Sequence, residues 1–62
     1  MIELSYREFA EFKNKYLSDP YPLWNFGTAF CMAFNIDNAD IRFAPTIEVC
    51  LARIEAFVVW VI

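Results

Sequence analysis

The sequence predicts a single all-α domain, a compact three-helix mini-domain that spans residues 1–62 and is completed by self-association. The chain has 62 residues, of which 60% are apolar and 19% aromatic, and this composition favours a packed core over disorder. Apolar side chains recur at helical spacing in three segments, which proline and asparagine residues separate. A domain of this size buries only about 60% of the surface of its unfolded chain, so we expect part of its apolar surface to lie against another molecule.

The first helix is predicted over Ser5–Leu17. Ser5 and Glu8 have the Ser-x-x-Glu spacing of a capping box, in which each side chain accepts a hydrogen bond from a backbone amide at the start of the helix. Pro20 and Pro22 end this segment, because a proline cannot continue the helical hydrogen bonds and restricts the residue before it. The apolar face of the first helix consists of Phe9, Phe12 and Tyr16.

The second helix is predicted over Pro22–Phe34 and is expected to lie buried at the centre of the domain. Residues 20–36 contain no charged side chain, but this run of 17 residues is shorter than the roughly 20 residues that a membrane span needs. Gly27 is expected to allow another backbone or an aromatic ring to come close. Asn35 is expected to end the helix in the left-handed conformation, with Ile36 folding back onto it. The buried stripe of this helix consists of Leu23, Phe26, Phe30 and Phe34.

The third helix is predicted over Pro45–Val59. Pro45 suits the first helical position, where its missing N–H is not needed, and Glu48 lies near the positive end of the helix dipole. Before this helix, residues 37–40 are typical of a turn, and Ile41–Phe43 forms either a single turn or an extended connector. The predicted core consists of Phe9, Phe12, Tyr16, Phe26, Phe30, Phe34, Ile47, Leu51, Ile54 and Phe57.

The third helix carries apolar residues on two faces. One face satisfies the need to pack on the first two helices, and the opposite face consists of Val49, Ala52, Ala56, Val59 and Trp60. Ala52 and Ala56 are small enough to let a second helix come close, and Trp60 has the size and amphipathic shape of an interface anchor. We therefore predict that these five residues form an interaction site at which two copies of the chain make a homodimer.

Other interpretations of this C-terminal segment remain open. In one alternative, the end of the chain bends away from the third helix. In another, residues 58–62 pair as a strand, because this segment is rich in β-branched residues. A different protein or a membrane surface is a further candidate to cover the second apolar face. The membrane is less favoured, since an interfacial helix normally carries Lys and Arg on its polar face, and here Arg53 is outnumbered by Glu48 and Glu55.

The composition argues against catalysis and against bound cofactors. The chain has no His, so Ser-His-Asp and Cys-His arrangements lack their usual base and Cys2His2 zinc sites lack two ligands. Its single Gly cannot form the glycine-rich loops that bind phosphates or dinucleotides. We expect Glu48 and Glu55 to be solvent-exposed charges at the border of the apolar face. An enzyme that uses these carboxylates or Cys31 is the residual alternative. The sequence therefore predicts no enzyme, no cofactor and no metal site.

The charge balance argues against direct binding of nucleic acid, because the formal net charge is −3 and the chain has only five basic residues. Cys31 and Cys50 are expected to be reduced thiols that pack as small hydrophobic side chains, with an intramolecular disulfide as the alternative. The charges of residues 1–18 alternate in sign, unlike those of a secretory signal, so we expect a cytoplasmic location.

Residues 26–36 read Phe-Gly-Thr-Ala-Phe-Cys-Met-Ala-Phe-Asn-Ile and follow an aromatic helix around Phe9 and Phe12. With this arrangement, residues 6–43 resemble a group of short accessory proteins encoded by bacteriophages and prophages. In that group a Gly-Gln-Ala-Phe segment leads to Phe-Asn-Ile and then to an acidic turn, whereas Thr28 replaces the glutamine here. The resemblance assigns no activity and no site residue. It implies expression in a bacterial cytoplasm and binding to a host protein.

Together, these observations predict a non-catalytic interaction protein that self-associates and binds and inhibits a host protein. The alternative is a small membrane-associated protein that lays its apolar C-terminal helix on or into a bilayer. Self-association predicts a dimer that does not depend on detergent, whereas membrane association predicts a monomer that floats with liposomes.

Overall fold

The structure is a computed structural model that describes residues 2–62, and in this range the chain forms four helices and one two-stranded parallel sheet. The elements are, in chain order, β1 (Ile2–Ser5), α1 (Tyr6–Ser18), α2 (Phe26–Ala33), α3 (Ala39–Arg42), α4 (Ile47–Phe57) and β2 (Val58–Val61).

The predicted all-α class is wrong, because the two ends of the described chain pair as strands. β1 and β2 run parallel, with Ile2 opposite Val58 and Leu4 opposite Trp60. The alternative of a C-terminal strand is confirmed for Val58–Val61. Valine has a stiff χ1 angle and fits the pleated surface of a sheet better than a helix, which explains why α4 gives way to a strand at this point. The fold is therefore mixed α/β rather than a three-helix bundle.

Both α1 and α2 begin at polar side chains that cap them. The Oγ of Ser5 accepts a hydrogen bond from the N–H of Glu8 at 3.3 Å, which is one of the two bonds of the predicted capping box. α2 begins four residues later than predicted, because the side chain of Asn25 accepts a hydrogen bond from the N–H of Thr28 at 2.8 Å. Leu23 consequently precedes the helix and is 84% exposed, so its predicted place in the buried stripe is wrong.

The end of α2 agrees with the prediction. Asn35 has a φ of 54°, in the left-handed region. The N–H of Ile36 donates to the carbonyl oxygen of Cys31 at 2.9 Å, which is the bond expected when the chain folds back after a left-handed residue. Ile36 is buried as a result, and the chain turns from α2 towards α3.

Residues 37–43, for which the sequence predicts a turn followed by a single turn or an extended connector, contain the short helix α3. The side chain of Asn38 caps it by accepting a hydrogen bond from the N–H of Ile41 at 3.1 Å. α4 begins at Ile47, two residues later than predicted, where the Oγ1 of Thr46 accepts a hydrogen bond from the N–H of Val49 at 3.1 Å. It ends at Phe57 rather than at Val59.

The core lies between the helices and the inner face of the sheet. Its buried side chains are Leu4, Phe9, Phe26, Phe30, Cys31, Ile36, Ile41, Cys50, Ile54 and Val58. Five further residues of the predicted core are half-buried and pack against it: Phe12, Tyr16, Phe34, Leu51 and Phe57. Ile47, which was also predicted in the core, is 37% exposed because it begins α4 at the edge of the domain.

Candidate interaction surface

The helical spacing of α4 places Val49, Ala52 and Ala56 on the side away from the core, and we call these three residues the α4 face. Cys50 and Ile54 are buried on the opposite side of the same helix. All three residues of the α4 face are exposed. The structure therefore brings together three of the five residues that the sequence predicted as an interaction site.

The other two predicted residues lie in β2, where successive side chains point to opposite sides of the sheet. Val59 is 47% exposed on the outward side. Trp60 is half-buried on the inward side, where its ring centroid lies 4.9 Å from that of Phe9 and 5.3 Å from that of Tyr6. In a continued helix Trp60 would follow Ala56 by one turn on the same face, but the change to strand periodicity turns it into the protein.

Charged side chains border the α4 face on both flanks. At 100° per residue, Glu48 and Glu55 lie on one flank and Arg53 lies on the other. One guanidinium nitrogen of Arg53, Nη1, donates to the carbonyl oxygen of Asp40 at 2.7 Å. The two ion pairs found within residues 2–62 join other side chains, so none of these three charges has an ion-pair partner there.

A cleft of about 450 Å³ adjoins the α4 face. Arg53, Ala56 and Phe57 line its α4 side. Its other wall comes from Asn38, Asp40 and Ile41, and the carbonyl oxygen of Asp40 also accepts the hydrogen bond from Arg53. The cleft thus extends the exposed surface from α4 towards α3.

A second exposed apolar region, which the sequence reasoning missed, lies between α1 and α2. Tyr21 is 90% exposed and Trp24 is 48% exposed. The hydroxyl of Tyr16 donates to the carbonyl oxygen of Trp24 at 2.9 Å and so ties this connection to α1. The signal that could have found it is Asn25, which is a better helix cap than any of residues 20–24 and so places the start of the helix after them.

The two cysteines are buried, as predicted, and pack as small side chains beside α3. The Sγ of Cys31 lies 3.8 Å from the carbonyl oxygen of Asn38, and the Sγ of Cys50 lies 3.7 Å from that of Ile41. Burial raises the pKa of the Cys50 thiol, Cys31 raises this pKa further, and the positive charge of Arg53 opposes both effects. Cys50 is therefore held as a neutral thiol, which suits a packing role.

Within residues 2–62 no group of three or more His, Cys, Asp or Glu side chains is placed to hold a metal ion. None of the helices in the same range has the length and the apolar character that crossing a membrane demands. Comparison of the chain with models of known families, with curated proteins and with solved structures gave no significant match.

Proposed function

We propose that this protein is a non-catalytic interaction protein that forms a homodimer through the α4 face. The observation that carries the proposal is the exposed apolar face itself: Val49, Ala52 and Ala56 lie outward on a helix whose opposite side is already packed on the core. A second copy of the chain is an occupant with a matching surface, because a two-fold axis brings the same face of each copy together.

The total exposed surface supports an association of this kind. The chain exposes 4549 Å², whereas a folded monomer of 7.3 kDa typically exposes about 4,200 Å². Large exposed apolar side chains contribute to this area, among them Val49 of the α4 face. Packing two copies together would remove part of this apolar surface from water and so stabilise the fold.

We further propose that the protein binds and inhibits a host protein, as the resemblance to phage accessory proteins implies. The same resemblance implies that it does so in a bacterial cytoplasm. The homodimer requires neither of these two properties.

The substitution Ala52→Asp should weaken the homodimer about 100-fold. Ala52 lies at the middle of the α4 face, so the new carboxylate would be buried against the second copy without a partner, at a cost of about 3 kcal/mol. Sedimentation equilibrium gives the dissociation constant of the wild type and of the variant. Far-UV circular dichroism shows that the variant keeps its helices.

A matched control is Asn14→Asp, which adds the same charge at an exposed position of α1. The control variant should dimerise like the wild type. Equal dissociation constants for Ala52→Asp and the wild type would contradict an interface at the α4 face. A wild-type protein that stays monomeric and floats with liposomes would contradict the homodimer and support the membrane alternative.

A further inference from the structure

We propose that the two copies of α4 pack in parallel, with their N-terminal ends together, and that Glu48 of each copy forms an ion pair with Arg53 of the other. This inference rests on the homodimer proposed above and specifies its geometry. Three features of α4 carry it: the spacing of its exposed apolar residues, the placement of its charges, and the lack of ion-pair partners for those charges in residues 2–62.

The three residues of the α4 face follow the heptad spacing of a two-stranded coiled coil. Val49 and Ala56 are seven residues apart, and Ala52 lies three residues after the first and four before the second. In heptad notation Val49 and Ala56 occupy positions a, and Ala52 occupies the position d between them. The two alanines allow the axes of the helices to approach closely.

The flanking charges occupy the positions that select partner orientation in coiled coils. Glu48 and Glu55 take the g positions before each a residue, and Arg53 takes the e position after Ala52. In a parallel pair the g residue of one helix meets the e residue five positions further along the other helix. Glu48 therefore meets Arg53 of the second copy, and the two-fold symmetry creates this pair twice.

An antiparallel pair would bring like charges together. Its two-fold axis runs perpendicular to the helices, so the flank that carries the glutamates meets the same flank of the second copy. Glu48 would then face Glu55 of the second copy, and Arg53 would face its own symmetry mate. Contacts between like charges disfavour this orientation, so the charges of α4 select the parallel one.

Within a single copy, the charges of α4 have no such partners. The residues one helical turn from Arg53 on α4 are Val49, Cys50, Ala56 and Phe57, and none of them is charged. Arg53 bonds to the Asp40 carbonyl oxygen through Nη1, which uses one of the five N–H donors of a guanidinium. This bond holds the guanidinium at the border of the α4 face and leaves other donors for a carboxylate of the second copy.

The test is a pair of charge reversals, Glu48→Arg and Arg53→Glu, each measured alone and in an equal mixture by sedimentation equilibrium. Either reversal turns two attractive contacts into repulsive ones in the parallel dimer, and we expect the dissociation constant to rise about tenfold. The mixture should restore dimers of one copy of each variant, because both contacts then join opposite charges again. Glu55→Arg is the control, since its parallel partner position falls at residue 60, beyond the end of α4, and it should not weaken the dimer.

A second measurement does not depend on variants that reverse a charge. The dissociation constant of the wild type should rise with salt concentration, and Glu48→Gln should reduce this salt dependence.

A tighter dimer with Glu48→Arg would overturn the parallel arrangement, because the new cation would meet Glu55 in an antiparallel pair. A dimer that none of the variants changes would also overturn it and would place the contact elsewhere, while the homodimer itself would stand. A monomeric wild type would instead contradict the proposed function.

Discussion

Gly27→Ala should lower the free energy of unfolding by about 3 kcal/mol or more. A Cβ atom at position 27 would overlap the carbonyl oxygen of Ile41 and would lie 2.9 Å from its carbonyl carbon and 3.0 Å from the carbonyl oxygen of Arg42. These are backbone atoms of α3, so α2 and α3 would have to separate to make room. Urea denaturation followed by circular dichroism measures the loss.

The sign of this result is decisive, because Gly→Ala inside a helix ordinarily stabilises a protein by about 1 kcal/mol. Met32→Ala is a suitable control, since Met32 lies in the same helix, is 60% exposed and should change the stability little. A Gly27→Ala protein that is as stable as the wild type, or more stable, would show that α3 does not approach α2 as closely as the structure has it.

Trp60→Ala should lower the free energy of unfolding by about 3 kcal/mol. Trp60 lies opposite Leu4 in the sheet and packs on the rings of Phe9 and Tyr6, so its removal detaches β2 from α1 and leaves a cavity at the edge of the core. Denaturation curves should be recorded at one protein concentration, because dimer formation adds a stability that depends on concentration.

Val61→Ala is the matched control for this substitution. Val61 lies in the same strand, next to Trp60, but points outward and is 43% exposed. Its truncation should change the stability of the fold by about 0.5 kcal/mol or less. If the two substitutions cost the same, Trp60 would not be packed inward, and the helical interpretation of residues 58–62 would return.

The local signals in the sequence predicted the helix ends well where one polar residue decides them. Ser5 capped α1 as expected, and Asn35 ended α2 with the left-handed conformation that its position indicates. At the start of α2 two signals competed: Pro22 suits a first helical position, and Asn25 suits a cap. Asn25 determined the boundary, because its side chain accepts a hydrogen bond from a backbone N–H at the start of the helix. A proline at the first helical position leaves such an N–H without a partner.

From the sequence, β2 was one of several alternatives and β1 was not predicted, for a physical reason. Residues 58–62 are apolar throughout, so no polar residue shows whether the period is 2.0 or 3.6. β1 has only four residues, and its partner lies at the far end of the chain, so only the tertiary fold shows that they pair. The same ambiguity explains why the interaction site was predicted only in part. Helical spacing correctly placed Val49, Ala52 and Ala56 on one face, but it placed Trp60 outward, whereas the strand turns Trp60 inward.

The mass of the wild-type protein in solution tests the central claim of a homodimer most directly. Sedimentation equilibrium without detergent, over a concentration range of about a hundredfold, should show a species of twice 7.3 kDa that dissociates on dilution. A species of 7.3 kDa at every concentration would contradict the homodimer and leave the α4 face without the partner that we assign to it.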